Sequence, residues 1–185
     1  MHPRVQVSLE SGPPELQTNR LRERGFDALV VDLRSVTPAD DLLIEDLGQM
    51  RGGFICRVGH PLAKLNTPIT FAHLQRYPLA STSLNPELAR LLITRYGPAA
   101  DPQVAVTLRC NDVSSLLHAV HGSDAVFLGL VSPAREAIAN GSLVELPITP
   151  ALNEGAHFAF VTLADRTEAP AMGIFRQFVA EHQHD

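Results

Sequence analysis

The chain has 185 residues, 45% hydrophobic and 19% charged, and 15 Lys and Arg against 20 Asp and Glu leave a net charge of −5. So apolar and weakly charged a composition excludes a disordered chain, and no run approaches the roughly 18 apolar residues of a membrane-spanning helix. The acidic balance and the scattered arginines, as in Arg20, Arg22, Glu23 and Arg24, provide no basic face for nucleic acid or anionic lipid. Met1-His2-Pro3-Arg4 lacks the pattern of an export signal, so a cytoplasmic location is expected, with Cys56 and Cys110 as reduced, buried thiols.

In chain order, Val5–Leu9 alternates apolar and polar residues and reads as a half-buried strand, broken at Gly12-Pro13-Pro14. A helix carrying Leu16 and Leu21 follows and ends near Gly25, a C-terminal capping glycine. Phe26 to Val31 is a nearly continuous apolar run, the pattern of a strand buried on both faces. Leu42-Leu43-Ile44 and Gly53 to Val58 are the next two strands, and a short helix lies around Phe71 to Gln75. Tyr77 to Ala80 is extended; Asn85-Pro86 then starts a helix, with Asn as cap and Pro at its first position.

The same alternation continues in the second half. Val104–Leu108 is a strand, Asn111-Asp112 caps a helix ending near Gly122, and Ala125–Leu130 is a buried strand. Ser132-Pro133 opens a helix that Asn140-Gly141 stops. Strands at Leu143–Leu146 and Phe158–Leu163 precede a closing amphipathic helix from Pro170 to His182. Strands alternating with helices imply an α/β fold with mostly parallel sheets. The order suggests two lobes, 1–77 with 158–185 and 78–157.

Catalytic signatures are missing. There is no GxSxG elbow, and Gly52-Gly53 belongs to neither a P-loop nor a dinucleotide fingerprint. The pairs Asp40-Asp41 and Glu45-Asp46 read as solvated acids. His118 and His121 share a helix face but lack a third ligand and a base. No enzyme activity, metal or cofactor is therefore expected. What remains are polar residues where strands give way to helices: Asp32 with Leu33, Ser81-Thr82-Ser83, Asn111-Asp112, and Val131-Ser132. In open α/β sheets, ligands bind outside the carboxyl ends of the strands, so these residues form the candidate ligand site.

Five segments carry a family resemblance. Gly25-Phe26-Asp27-Ala28-Leu29-Val30-Val31, Gly59-His60-Pro61-Leu62-Ala63 and Leu74-Gln75-Arg76-Tyr77-Pro78-Leu79 come first; Gly141-Ser142-Leu143-Val144 and Arg166-Thr167 through Pro170-Ala171 to Phe175 follow. Their order and spacing resemble the effector-binding domain of LysR-type transcriptional regulators. One departure is Ala169 where that family has a serine before Pro170; Thr167 is a candidate substitute for its hydroxyl.

The resemblance implies two Rossmann-like lobes of the periplasmic-binding-protein type (type 2). A small organic effector, a carboxylate or an aromatic metabolite, would lie in the cleft between them. It implies that Ser81, Thr82, Ser83, Asn111, Asp112, Val131, Ser132, Asp32 and Leu33 line the pocket. It also implies a dimer or tetramer, and DNA contact only through a helix-turn-helix domain that this chain does not contain. The motifs begin one strand and one helix into the family's domain, so that first strand and helix are expected to be absent here. The alternatives are a solute-binding protein of a transport system and a non-functional truncated regulator fragment.

Overall fold

The computed structural model describes residues 5–167 and 170–182. Met1–Arg4 and Ala169, which enter the sequence reading above, lie outside them. The chain divides into two compact units, Met1–Met50 with Ala156–His184, and Arg51–Gly155. The expected boundary at Tyr77 is corrected: residues 51–77 belong to the second unit. The reason is packing, because Phe54, Cys56, Ile69, Phe71 and Leu74 share one apolar core with Leu79, Leu92, Val126 and Leu128.

In the first unit, helix α1 (Pro14–Arg22) is followed by strand β1 (Leu29–Asp32). β1 pairs antiparallel with β7 (Gly155–Leu163), Leu29 opposite Val161 and Asp32 opposite Phe158. Leu21, Leu29, Val31, Val36, Leu42, Ala159 and Val161 make its core. Two expectations are corrected here. β1 alternates buried and exposed residues instead of burying both faces. Val5–Leu9 is not a strand: Val7 is 56% and Leu9 81% exposed, and among the described residues no strand takes up its backbone groups.

α1 closes with a Schellman motif. Gly25 N–H donates to Arg20 O at 2.7 Å and Arg24 N–H to Leu21 O at 3.0 Å. The left-handed position is held by Arg24 (φ 62°), one residue before the glycine expected to cap it.

The two strands expected at Leu42 and Gly53 are one long strand, β2 (Leu42–Arg57), through which the chain passes from the first unit to the second. The second unit then adds α2 (Phe71–Leu74), β3 (Leu79–Ser81), α3 (Pro86–Tyr96), α4 (Pro102–Ala105) and β4 (Val106–Arg109). α5 (Val113–His121), β5 (Val126–Leu130), α6 (Arg135–Ala139) and β6 (Leu143–Glu145) complete it, and α7 (Pro170–His182) lies in the first unit. Val104, expected at the start of a strand, sits in α4, which Asp101 and Pro102 nucleate as cap and first residue.

The strand order in the second unit is β4-β3-β5-β2-β6. β3 pairs parallel with both β4 and β5, whereas β2 pairs antiparallel with β5 and β6. Both faces of this sheet are covered. Phe54, Cys56, Val126 and Leu128 meet Leu74 and Leu92 on one side; Ile55, Ala80 and Phe127 meet Leu116 and Val120 on the other. That two-sided burial is why Val126-Phe127-Leu128 reads as an unbroken apolar run.

The Gly59-His60-Pro61-Leu62-Ala63 segment is a buried turn. His60 Nδ1 accepts from Leu62 N–H at 3.0 Å, and its Nε2 lies 3.1 Å from Asp124 O. The carbonyl can only accept, so the ring carries its proton on Nε2. The ring meets Tyr77 edge-on at 4.5 Å between centroids. This packing also joins residues 59–63 to the rest of the second unit.

Candidate functional site

The parallel ladder decides which junctions come together. Ser81 is in register with Arg109 on one side and Leu128 on the other. The carboxyl ends of β3, β4 and β5 therefore share one edge of the sheet. Ser81-Thr82-Ser83, Asn111-Asp112 and Val131-Ser132 all emerge there.

Their side chains divide into holders and free groups. Ser81 is fully buried, and its hydroxyl donates to Leu128 O at 2.7 Å, stapling β3 to β5. Val131 is buried and its N–H donates to Arg51 O at 3.1 Å. Asn111 Oδ1 accepts from Ser83 N–H at 3.3 Å, tying the loop after β3 to the loop after β4. Among the described residues no hydrogen bond engages the Thr82 or Ser83 hydroxyl. Thr82 is half-buried and Ser83 exposed. These hydroxyls, with the Asn111 amide N–H2, are the donors offered at this edge. Ser132 opens the short turn that leads into α6.

The helix end at this edge is already occupied by an acid. Asp112 caps α5, accepting from Ser114 N–H at 3.2 Å and Ser115 N–H at 3.1 Å, and from the Ser115 hydroxyl. The Ser115 hydroxyl and these N–H groups hold its carboxyl below the usual carboxylate range. The free N–H groups that could seat an incoming anion are thus already taken by a carboxylate of the chain itself. Similarly, Asn85 Oδ1 accepts from Leu88 N–H at 2.8 Å and fills the N-terminus of α3. Arg109, the nearest cation in sequence, donates instead to Pro102 O at 2.6 Å.

Asp32 and Leu33 belong to the first unit. Asp32 Oδ1 accepts from Arg34 N–H at 3.0 Å, and the same carboxylate pairs with the Arg34 guanidinium at 2.9 Å. Asp32 therefore ends β1 and caps the turn that begins at Leu33.

Sequence reading did not find Arg51 and Glu145, which form a two-pronged ion pair between β2 and β6. They are 94 positions apart, and only strand pairing brings them together. His118 and His121 fall in the last turn of α5, both exposed.

A family model described as the LysR substrate binding domain matches residues 1–184. The chain belongs to that family. One curated relative is the SDS degradation transcriptional activation protein of a Pseudomonas species, 28% identical over 182 residues; the match covers 97% of this chain and 58% of that protein. Among solved structures, the regulatory domain of CcmR from Synechocystis in complex with 2-PG superposes with a TM-score of 0.65 at 18% identity, over 97% of this chain and 84% of that one. The effector-binding domain of QuiR in complex with shikimate superposes with a TM-score of 0.66 at 16% identity, over 98% and 83%. At such identities these structures establish the fold, an α/β architecture of the periplasmic-binding-protein kind. No helix of the described residues is long and apolar enough to cross a membrane.

Proposed function

We propose that this LysR substrate-binding domain is a ligand sensor and not an enzyme, and that a small organic metabolite binds at the shared edge of β3, β4 and β5. The observation that carries the reading is the register of Ser81 between Arg109 and Leu128, which brings three polar junctions to one place. Thr82, Ser83 and Asn111 supply the hydrogen bonds, while Ser81, Asp112 and Val131 hold them in position. Asp112 makes a dianion a poor fit; a monocarboxylate or an aromatic ligand bearing hydroxyl groups matches the neutral donors better. The CcmR and QuiR domains in complex with 2-PG and shikimate support the choice of a small organic ligand.

As part of a LysR-type regulator, the domain acts by population shift. The effector changes DNA binding elsewhere in the regulator only to the extent that it binds one state more tightly than the other. A homo-oligomer provides the second state through its subunit packing.

Thermal shift against a panel of aliphatic acids, aromatic acids and shikimate tests this reading. A ligand at 100 times its Kd adds about 2.7 kcal/mol to the folded state, a shift of several degrees in Tm. The Thr82→Ala/Asn111→Ala double variant should lose that shift while keeping its unliganded Tm within a few degrees. A panel ligand that shifts both proteins equally would overturn the site.

A further inference from the structure

The Gly52-Gly53 pair in β2 fits no nucleotide motif and marks a place where neighbouring groups approach the backbone closely. A cavity of about 260 Å³ lies beside it, lined by Gly53, Phe54 and Arg51 of β2 and by Glu145, Ile148 and Leu152 among others. None of Thr82, Ser83, Asn111 or Asp112 lines it.

The glycines beside the cavity are packed too closely to carry a side chain. A Cβ on Gly53 would come within 2.9 Å of Glu145 Oε1 and of Val131 Cγ2; one on Gly52 would stand 2.8 Å from Glu154 O. Its far wall, residues 147–153, is held from outside by α3. Tyr96 OH donates to Pro150 O at 2.9 Å, and Arg95 bonds both Ala151 O and the Glu154 carboxylate. The wall is therefore braced without any group that enters the cavity.

We propose that this cavity is a second ligand site, which takes a small uncharged molecule with an apolar body, such as a one-ring or short-chain alcohol. Size comes first. An apolar cavity of about 150 Å³ admits benzene, and pockets for drug-sized ligands begin at roughly 300 Å³. At about 260 Å³ the cavity suits a single ring or a short chain. Polarity comes second. Phe54, Leu146, Ile148 and Leu152 supply the apolar part of the lining, and Arg51, Glu145 and Asn153 its polar part. Charge comes third. Arg51 and Glu145 meet through the two terminal guanidinium nitrogens and both carboxylate oxygens, so their charges cancel at the rim. A carboxylate ligand would have to displace Glu145 from Arg51, and an ammonium would have to displace Arg51 from Glu145. An alcohol needs neither, and the Asn153 amide at the rim offers it a hydrogen-bond partner.

Titrating the 15N-labelled chain with benzyl alcohol, phenol and 1-hexanol, with benzoate as the charged counterpart of benzyl alcohol, tests the proposal. At least one alcohol should give saturable shifts centred on the Gly53, Leu152 and Asn153 amides, and benzoate should bind there at least about tenfold more weakly. Leu152→Trp should abolish the shifts by filling the cavity, while Thr82→Ala leaves them intact. If Leu152→Trp does not fold, Ala151→Phe, at an exposed position that lines the cavity, serves the same purpose. No saturable shift with any of the three alcohols, equal binding of benzoate, or shifts that survive the filling variant would overturn the proposal.

Discussion

Asn111 Oδ1 receives the backbone N–H of Ser83, 28 positions earlier, and so joins the loops that follow two neighbouring parallel strands. The bond is long, at 3.3 Å, and exposed. Its value for stability is therefore small, and its value for positioning is larger. Asn111→Ala should lower unfolding free energy by about 0.5 kcal/mol. It should weaken binding of whichever metabolite shifts Tm by about tenfold, since both the tie and a donor are lost. Urea unfolding and calorimetric titration of the same variant separate the two effects. Ligand affinity unchanged by this substitution would remove Asn111 from the site.

His60 should behave as a structural residue despite its place in a recognisable motif. It is fully buried and both ring nitrogens are engaged, by Leu62 N–H and Asp124 O. Replacing it with Ala leaves a cavity beside Tyr77 and orphans two backbone groups. The expected loss is about 3 kcal/mol. His60→Phe keeps the ring but still orphans both groups, so it should rescue only part of that loss. Urea unfolding measures both, and a 15N spectrum of the imidazole should show the proton on Nε2.

The two thiols should differ sharply in reactivity. Burial pushes the Cys56 thiol up to about 12, and it lies inside the core with Phe54 and Leu128. Cys110 is half-buried, at the end of β4, and its Sγ accepts from Asp112 N–H at 3.4 Å. Iodoacetamide at pH 8 should label Cys110 in the folded protein and spare Cys56; both should react in urea. Equal labelling of the two in the native state would contradict the burial of Cys56.

How far the sequence foretold this structure depends on where the deciding interaction lies. α3 and α5 were legible because their signals are local: Asn85 with Pro86, Asp112, and Gly122 after the last turn. β5 was legible because burial on both faces leaves an unbroken apolar run. Val5–Leu9 has a strand's alternation, yet a strand also needs a partner, and alternation carries no information about one. β2 read as two strands because Glu45, Asp46 and Gly48 interrupt the apolar pattern, while its continuity comes from the pairing around it. At the site, the polar junctions could be read individually. Their meeting at one edge could not, because it follows from the register of Ser81 with Arg109 and Leu128. The burial of the Ser81 hydroxyl under Leu128 O was equally hidden.

Arg24 offers a stabilising substitution. It holds a left-handed backbone (φ 62°) at the C-terminus of α1, where a side chain costs about 1 kcal/mol relative to glycine. Arg24→Gly relieves that strain but adds freedom to the unfolded chain. The net expectation is a gain of about 0.5 kcal/mol, seen as a higher urea midpoint with an unchanged slope. Arg24→Ala keeps the strain and should bring no such gain.

Asp112 predicts a pH dependence with a definite sign. Its carboxyl is held below the ordinary value of 3.8, mainly by the Ser115 hydroxyl and then by the N–H groups of Ser115 and Ser114. A depressed folded value means that the unfolded chain takes up the proton first as pH falls. The stabilisation is therefore complete above about pH 5 and disappears as pH drops through the folded value, below 3.8. Asp112→Asn keeps a capping oxygen but cannot ionise. Wild type should exceed this variant in unfolding free energy at pH 6 to 7, and the difference should shrink toward zero between pH 4 and pH 2. Urea unfolding of both proteins across that range provides the measurement, and a difference independent of pH would show that the cap works without its charge.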